Sequence, residues 1–244
     1  MNNNIKELKQ QFNIIRKMEW IPSIEEGKGS PGFTFERLLN KEKENFEIPD
    51  YLGIEIKTHK YWSKSNTTLF NATPDGTYLF EIKRIKEKYG YPDKILKDCK
   101  VLHGSVDAIS IKNIGYKYAF KLEIDYKKEI VYLCVYKNNI LIDKKSYWTF
   151  QLLKEKLERK LTYLAYINYL EKNIDNKMYY KYIRMNIYKL KDFSYFIKAL
   201  EEGIICVGFT IGVFRTGNKK GEMHDHGTAF RISNNDLHYI YDEV

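Results

Sequence analysis

Three polar residues that lie close together in the sequence, Asp50, Glu55 and Lys57, have the types and the spacing of a metal-dependent active site. Glu55 and Lys57 are separated by one residue, so on a β-strand their side chains point to the same face. Ile54 and Ile56 then point to the opposite face, toward a core. A carboxylate and an ammonium held side by side on a strand form a preorganised polar pair.

Asp50 requires a bend in the chain before it can join this pair. It lies five residues before Glu55, an odd offset that would turn its side chain to the wrong face of a straight strand. Gly53, between the two, is the residue that tolerates a bend. We therefore predict that the chain bends at Gly53 and that Asp50 and Glu55 converge on one hard cation.

The cation that suits two carboxylates is Mg²⁺, which prefers oxygen ligands and usually keeps several waters. Asp50, Glu55 and the backbone carbonyl of Ile56 would leave positions open for water and a phosphate oxygen. The metal would polarise a phosphodiester and lower the pKa of a bound water. Lys57 would hold or help deprotonate the attacking water and balance charge on the phosphate. Glu36, on a preceding helix, would bind the metal cluster directly or through water.

A second literal match to the same motif follows later in the chain, as Asp75 with Glu81 and Lys83. The Pro-Asp-Gly turn already explains Asp75, and no acidic helix residue precedes it at a suitable distance. We interpret Glu81 and Lys83 as solvent-facing strand charges that pair with neighbours. The first match has a simpler explanation too, an exposed strand whose ion pair is worth little.

A cluster of basic and polar residues lies near the C-terminus between two predicted strands. In the major groove, Arg pairs bidentately with guanine O6 and N7, and Asp can accept a hydrogen bond from cytosine N4. The alternation of donors with one acceptor over 224–226 suits a G·C-rich site. We predict base recognition by Arg215, His224, Asp225, His226 and Arg231.

Contacts to the DNA backbone are predicted for five further residues: Lys60, Trp62, Lys64, Lys219 and Lys220. Two other interpretations of the C-terminal cluster stay open, because motif matches carry false positives. His224 and His226 could ligate a transition metal, although no third ligand is evident nearby. The loop could also be a solvated hairpin without a role.

The overall composition favours a polyanionic partner. The chain has 41 Lys and Arg against 32 Asp and Glu, a net charge of +9, and each neutralised phosphate releases condensed counterions. A lysine-rich coding bias is the alternative explanation. The longest apolar stretch, 204–214, is shorter than the roughly 20 residues that a membrane span needs, and the N-terminus lacks the apolar core of a signal peptide. We expect a cytoplasmic protein without a membrane partner.

The periodicity of apolar residues predicts an α/β fold with a mixed sheet flanked by helices. Ile5, Leu8, Phe12 and Ile15 recur at helical spacing, and a short helix begins near Phe33. The other predicted helices span 149–172 and 192–202. The predicted strands span 53–58, 67–71, 77–85, 108–111, 117–125, 130–136, 204–214 and 228–232.

Two segments, KGSPGFTFERLLN and PDYLGIEIKTHKYWSKSNTTLF, resemble the MvaI/BcnI group of type II restriction endonucleases. These enzymes are related to the mismatch-repair nicking enzyme MutH within the PD-(D/E)xK nucleases. The resemblance is strongest over 28–70 and recurs in HDHGTAFRI. It implies a two-lobed enzyme that straddles DNA, with a catalytic lobe over 1–95, on which part of the 146–202 helices packs. A recognition lobe would occupy most of 96–244, with a base-reading loop at 215–231.

The resemblance also implies roles for individual residues. The acidic helix position of the family falls on Glu36, and its D…E-x-K positions fall on Asp50, Glu55 and Lys57. The spacing between Asp50 and Glu55 is shorter than in MutH-like relatives and is tolerable only if the bend exists. Members of the group cut CC-N-GG-type sites, and this likeness points to CCWGG.

The expected partner is duplex DNA, with a cognate DNA methyltransferase implied functionally and not as a subunit. An odd-length target lacks two-fold symmetry at its central pair, so a symmetric dimer would meet two different half-environments. We therefore expect a monomer that acts on each strand in turn. The alternatives are a MutH-like endonuclease that nicks one strand and, from a different class, a non-catalytic DNA-binding regulator.

Overall fold

The computed structural model describes residues 1–27, 29–39, 49–75 and 81–244. The chain divides into two compact units, each assembled from separate stretches of sequence. Unit 1 comprises Met1–Thr67, Leu157–Asp192 and Ile240–Val244, and unit 2 comprises Thr68–Lys156 and Phe193–Tyr239. The predicted mixed α/β class is confirmed.

The elements are numbered in chain order. The helices are α1 (Asn2–Lys17), α2 (Ser30–Leu38), α3 (Glu81–Tyr89), α4 (Phe150–Leu161) and α5 (Phe193–Glu201), and a short 3₁₀ helix spans Asn234–Tyr239. The first strands are β1 (Ile21–Pro22), β2 (Glu55–Lys60), β3 (Thr67–Asn71), β4 (Tyr91–Pro92), β5 (Lys100–Val106), β6 (Lys112–Ile114), β7 (Tyr118–Asp125) and β8 (Ile130–Lys137). The remaining strands are β9 (Ile140–Thr149), β10 (Tyr163–Ile174), β11 (Lys177–Leu190), β12 (Ile205–Val213), β13 (Met223–Asp225), β14 (Ala229–Ile232) and β15 (Tyr241–Glu243).

Unit 1 contains a mixed sheet in the order β1-β11-β10-β2, with β15 paired to β11. β10 and β11 form an antiparallel hairpin whose turn at 175–176 has φ values of 49° and 61°. Positive φ at both positions matches the twist of the flanking strands. β2 lies parallel to β10 and places Glu55 opposite Leu164 and Lys57 opposite Tyr166. The strand with the predicted catalytic pair is thus the last in the strand order.

The core of unit 1 forms where α1 and α2 cover one face of this sheet. Phe35 of α2 packs edge-on against Tyr182 of β11, with ring centroids 4.9 Å apart. Ile54 and Ile56 are buried in the same cluster, as the alternation along β2 predicted. The predicted N-terminal amphipathic helix is confirmed, and its apolar positions are buried: Ile5, Leu8, Phe12 and Ile15.

Unit 2 contains two sheets. One has the order β3-β14-β12-β5-β4 with β13 paired to β12, and the other is the antiparallel series β6-β7-β8-β9. β12 confirms the strand predicted over 204–214, and its odd-numbered residues are buried. Trp148 is fully buried and packs edge-on against Phe230, with centroids 5.5 Å apart. No helix in the described parts of the chain is long and apolar enough to span a membrane.

The long helix predicted over 149–172 is wrong in its second half. Helix α4 ends at Leu161, and the next residues form β10. Leu153 and Leu157 are buried at helical spacing, but Leu164 lies in the strand. The segment after the helix is rich in Tyr and Ile, which favour strands, and its pairing with β11 overrides the leucine period that continues past the helix end.

The strand predicted over 77–85 is also wrong where it can be compared, because its second part forms helix α3. Residues 76–80 lie outside the described chain. Ile82, Ile85 and Tyr89 are all buried. Their spacing of three and four residues places them on one helical face. Tyr89 lies beyond the segment 77–85, so the helical period is not complete within the predicted strand.

The hairpin turn predicted at 73–76 is described only in part, because Gly76 lies outside the described residues. Asp75 exchanges backbone hydrogen bonds with Tyr147 of β9, at N–O distances of 2.6 and 3.0 Å. The described part of this segment therefore pairs with β9 and not with a following strand.

The strand predicted over 108–111 is wrong. Asp107 Oδ1 accepts hydrogen bonds from the backbone N of Ile109 and Ser110, at 3.0 and 3.1 Å. An aspartate that satisfies the amides two and three residues ahead stabilises a turn in place of a sheet ladder. The short apolar run therefore forms a bend between β5 and β6.

Candidate active site

The bend predicted ahead of β2 is a tight turn. Tyr51 and Ile54 exchange both backbone hydrogen bonds, with N–O distances of 2.9 and 2.8 Å. Between them φ is 50° at Leu52 and 81° at Gly53. Positive φ at both central residues is the pattern of a two-residue type I′ turn. The predicted bend at Gly53 is confirmed, and Leu52 shares it despite the steric cost of positive φ for a residue with a side chain.

The turn brings the Asp50 carboxylate back against β2. Asp50 Oδ2 accepts a hydrogen bond from the backbone N of Ile56 at 2.8 Å. Lys57 Nζ lies 2.6 Å from Glu55 Oε1. Lys160 Nζ lies 3.3 Å from the same Glu55 oxygen and 3.9 Å from Asp50 Oδ1. The structure therefore brings Asp50, Glu55 and Lys57 together, with a second lysine between the two carboxylates.

The Glu55 carboxylate is almost completely buried, with 1% of the side chain exposed. Burial raises the pKa of this carboxyl above its ordinary value; Lys57 opposes the rise, Asp50 adds to it, and Lys160 opposes it again. Glu55 Oε2 has no hydrogen-bond partner among the described residues. A buried polar oxygen without a donor costs free energy, so this atom needs a partner that the protein side chains do not supply.

The donor set at this site fits a hard divalent cation. The orphaned Glu55 Oε2 and the nearby Asp50 Oδ1 are both carboxylate oxygens, the ligand type that Mg²⁺ prefers. Among the residues that the structure describes, no group of three or more His, Cys, Asp or Glu side chains could hold a metal ion together. Asp50 and Glu55 would supply two carboxylate ligands, and backbone oxygen, water or substrate would add others.

Lys160 is the member of this cluster that the sequence analysis missed. It lies in the last turn of α4, far from Asp50 and Glu55 in the sequence. Its position near C-terminal carbonyls explains a lysine there through the helix dipole alone. No local pattern therefore marked Lys160 as a residue of the site, and only the packing of the C-terminal end of α4, which belongs to unit 1, reveals it.

Glu36 lies on α2. Its Oε1 is 3.7 Å from the point that a Cβ on Gly32 would occupy, and Thr58 Oγ1 is 3.4 Å from that same point. Thr58 directly follows Lys57 on β2, so its side chain points to the opposite face of the strand. The role of Glu36 in the metal site stays a prediction.

Two of the predicted base-reading positions, His224 and Arg231, border one face of β12. His224 on β13 pairs with Gly212. The Arg231 guanidinium lies over Gly208, where a Cβ would come within 2.8 Å of its Cζ, and Arg231 Nη2 donates to Thr210 Oγ1 at 3.4 Å. Gly208, Thr210 and Gly212 alternate along the strand, so these contacts lie on the same face. Small residues on β12 give the larger side chains room.

The two histidines of this cluster are packed together. The His224 ring stacks on Phe214 with centroids 4.2 Å apart, and the His226 ring lies 4.1 Å from that of His224. Asp225 Oδ1 accepts a hydrogen bond from the backbone N of Gly227 at 2.8 Å. Asp225 therefore shapes the turn and keeps further acceptor capacity, since a carboxylate can accept several hydrogen bonds.

Arg215 is held by an ion pair. Its Nη2 lies 2.7 Å from Asp93 Oδ2, and about half of its side chain is exposed. The hydrogen bond from Arg215 holds the pKa of the Asp93 carboxyl well below its usual range, aided by the backbone amides of Leu96 and Ile95. The structure thus assigns Arg215 a partner within unit 2, which fixes the direction of its guanidinium.

His103 joins the same face, although the sequence analysis gave it no role. It lies on β5 directly opposite Thr210 of β12. Its Nε2 is 3.7 Å from the point where a Cβ on Gly212 would lie. Burial lowers the pKa of His103, and the charge of Arg215 lowers it further. His103 reaches this face only because of the register in which β5 pairs with β12. That register cannot be derived from the sequence alone.

The predicted backbone contacts are mostly exposed. Trp62 is 77% exposed and packs edge-on against Tyr61 at 4.4 Å, directly after β2. Lys60 Nζ lies 2.7 Å from Glu171 Oε1. Lys64 and Lys220 are exposed, and Lys219 Nζ lies 5.9 Å from the centre of the Phe214 ring.

The chain matches the family model of the MvaI/BcnI restriction endonuclease family over residues 9–241. It is similar to the solved complex of restriction endonuclease MvaI with its cognate DNA substrate, at 34% identity and a TM-score of 0.89, over 100% of this chain and 98% of that chain. The structure of MvaI in the absence of DNA matches with the same identity and coverage and a TM-score of 0.64. No curated protein matches the chain.

The family model spans nearly the whole chain, and both solved structures cover all of it. These matches confirm the resemblance that the sequence analysis based on residues 28–70. The chain therefore belongs to the MvaI/BcnI restriction endonuclease family and is a type II site-specific deoxyribonuclease.

Proposed function

We propose that this restriction endonuclease hydrolyses phosphodiester bonds of duplex DNA with Mg²⁺ held by Asp50, Glu55 and the backbone carbonyl of Ile56. The observation that carries the proposal is the buried Glu55 Oε2, which has no hydrogen-bond partner in the described chain. It lies in the same cluster as a second carboxylate and Lys57. Glu36 keeps its proposed role as a ligand through water or directly.

The chain's own residues prepare the site for hydrolysis. The hydrogen bond from the Ile56 amide to Asp50 Oδ2, at 2.8 Å, orients this carboxylate and leaves Oδ1 for the ion. When bound, Mg²⁺ supplies polarisation of the phosphate and a water of lowered pKa. Lys57 Nζ, 2.6 Å from Glu55 Oε1, can hold the attacking water and balance negative charge on the phosphate.

The direction of the Ile56 carbonyl supports its role as the third ligand. In a strand, the N–H and C=O of one residue point to the same side. The Ile56 N–H donates to Asp50 and not to β10, so its C=O faces the same outer edge of β2. This direction supports a ligand set of two carboxylates and one backbone oxygen.

The target that we propose is CCWGG. The solved relative with cognate DNA is MvaI, and the base-reading residues of this chain would be Arg215, His224, Asp225, His226 and Arg231. The proposal includes the PD-(D/E)xK core and two lobes. The catalytic lobe spans 1–95, with part of the 146–202 helices packed on it, and the recognition lobe takes up most of 96–244. Unit 1 carries the acidic cluster and unit 2 carries 215–231, which supports this assignment of roles.

We further propose that the enzyme acts in the cytoplasm as a monomer that cuts each strand in turn. A target with a central A·T pair presents two different half-sites to a symmetric dimer. A cognate DNA methyltransferase would protect the host sites without being a subunit.

Plasmid cleavage tests the proposal. With Mg²⁺ the purified chain is expected to linearise a plasmid that contains CCWGG and to leave one without that sequence intact. Asp50→Asn keeps the acceptor for the Ile56 amide but removes a charge, so it should bind the plasmid in gel-shift assays and cut about 10³-fold more slowly. Asp242→Asn, at a side chain that is 71% exposed, is the matched control and should cut normally.

Normal cutting by Asp50→Asn would overturn the metal assignment. Accumulation of nicked plasmid without linear product would favour a strand-nicking enzyme. Sequencing the ends left on a random DNA pool would define the recognition sequence and the position of the cut.

A further inference from the structure

Lys160 lies where a cation would lie between Asp50 and Glu55. Its Nζ is 3.3 Å from Glu55 Oε1 and 3.9 Å from Asp50 Oδ1. The position is reached from α4, whereas both carboxylates belong to the turn and strand around 50–55. A single ammonium thus contacts the two side chains that the proposed function assigns to one metal ion.

The two lysines of the cluster differ in how they are held. Lys57 is on the same strand as Glu55, two residues away, so it stays beside that carboxylate. Lys160 is on another element, 32% of its side chain is exposed, and its four-carbon stem is flexible. Lys160 can therefore leave the carboxylates without any change in the backbone.

The charges in the cluster balance without a metal ion. Asp50 and Glu55 carry one negative charge each, and Lys57 and Lys160 carry one positive charge each. A divalent ion between the carboxylates would meet the Lys160 ammonium within a few ångströms, and like charges at such a distance repel strongly in a partly buried site. Binding of the ion therefore requires that Lys160 move away.

We propose that Lys160 is an internal counter-ion of the metal site, which occupies the space between Asp50 and Glu55 until a divalent ion displaces it. Lys160 thereby sets the affinity of the site for the ion. It is a positioning residue that keeps two adjacent carboxylates paired in the metal-free chain. This inference rests on the proposed function of Asp50 and Glu55 as metal ligands.

Mn²⁺ binding to the DNA-free protein tests the inference, followed by the paramagnetic resonance signal of the free ion. Lys160→Met removes the charge and keeps much of the stem, so it should bind Mn²⁺ about tenfold more tightly than the natural chain. Lys160→Arg keeps the charge and should return the affinity to near the natural value. Lys198→Met, which removes a lysine that is 69% exposed on α5, is the matched control and should not change it.

Thermal unfolding supplies a second readout. Without metal, Lys160→Met should unfold at a lower temperature than the natural chain, because Asp50 and Glu55 lose a shared partner. Added Mn²⁺ should raise its unfolding temperature more than that of the natural chain, since a ligand that binds the folded state more tightly stabilises that state more at the same concentration. Near-ultraviolet circular dichroism of each variant establishes that it is folded.

Equal or weaker Mn²⁺ binding by folded Lys160→Met would overturn the role of Lys160. If Asp50→Asn then binds Mn²⁺ much more weakly than the natural chain, the proposed metal site stands and only this inference fails. If Asp50→Asn and the natural chain bind Mn²⁺ equally, the ion is not held at Asp50, and both proposals fail.

Discussion

Each unit contains a buried glutamate in a cluster of charged side chains, and the two glutamates differ in how completely they are paired. Glu55 in unit 1 has one oxygen without a hydrogen-bond partner in the described chain. In unit 2, both oxygens of Glu81 accept hydrogen bonds from Arg84 Nε at 3.0 Å, and the Ser146 hydroxyl also donates to Glu81. Arg84 Nη1 in turn lies 2.8 Å from Asp143 Oδ2. The second cluster is closed, and the first keeps an open position.

The same sequence motif leads to these two outcomes because it folds differently. Glu55 and Lys57 lie on a strand, where residues two apart share a face. Glu81 and Lys83 lie on α3, where residues two apart do not face each other; Glu81 is buried and Lys83 is exposed. Our interpretation of Glu81 as a solvent-facing strand charge was wrong. A buried carboxylate whose two oxygens both accept hydrogen bonds indicates a structural cluster. A buried carboxylate with an oxygen that lacks a donor indicates a site for a ligand.

Glutamine substitution at the two glutamates should separate these roles. Glu55→Gln is expected to slow plasmid cleavage about 10³-fold and to change the free energy of unfolding by less than about 1 kcal/mol, because its lysine partners are partly exposed. Glu81→Gln should lower the free energy of unfolding by about 3 kcal/mol, because Arg84 loses a buried partner. Cleavage kinetics and urea unfolding measure the two effects.

The comparison requires that each variant change only one readout. Folded Glu81→Gln should cut at the natural rate well below its unfolding temperature. A loss of cleavage in Glu81→Gln equal to that in Glu55→Gln would contradict the distinction between an open and a closed cluster.

Acid should weaken the closed cluster through Asp143. Burial alone would raise the pKa of Asp143, but hydrogen bonds from Tyr89 and Arg84 outweigh it and lower the pKa to about 2. Because the folded pKa is the lower one, ionised Asp143 stabilises the fold above about pH 4, and this stabilisation is lost as the pH falls toward 2. The expected loss is about 2 kcal/mol.

Asp143→Asn provides the reference for that measurement. Its free energy of unfolding should lack this part of the acid dependence, since the amide does not titrate. Urea unfolding of both chains between about pH 5 and about pH 2.5 gives the comparison. Parallel acid profiles for the two chains would show that Asp143 is not the titrating group.

The smallest effect is expected at the turn that brings Asp50 to Glu55. Leu52 has a φ of 50° and is 43% exposed. Leu52→Asn creates Asn-Gly, the preferred sequence for a type I′ turn, and should raise the free energy of unfolding by about 1 kcal/mol without slowing cleavage. Gly53→Ala, at a φ of 81°, should lower it by a similar amount. Effects of the same sign at both positions would argue against a type I′ turn.

The local part of the site could be predicted from the sequence. Strand alternation placed Glu55 beside Lys57, and the odd offset of Asp50 required a bend, which the structure has. Lys160 could not be predicted, because its contact depends on how the C-terminal end of α4 packs in unit 1. His103 escaped prediction for the same kind of reason, since only the register between β5 and β12 brings it opposite Thr210.

The errors in secondary structure also have physical causes. The leucine period of α4 continues by chance to Leu164, so the pattern concealed the start of a strand whose pairing with β11 decides its conformation. The apolar residues of α3 have a helical period of three and four that includes Tyr89, so the segment 77–85 by itself contains too little of the period to distinguish a helix from a strand. Elements fixed by their own residues, such as α1 and β12, were predicted well.

The pairing of β2 with β10 has a consequence for the synthesis of the enzyme. β2 has emerged from the ribosome long before residues 163–174 are made, yet its sheet partner and Lys160 both come from that later part of the chain. Domains generally fold as units during translation, so unit 1 must wait for these residues. A nascent chain released early would lack the assembled cluster around Glu55, and if that cluster is the nuclease site, as we propose, such a chain would leave the DNA of its own cell uncut.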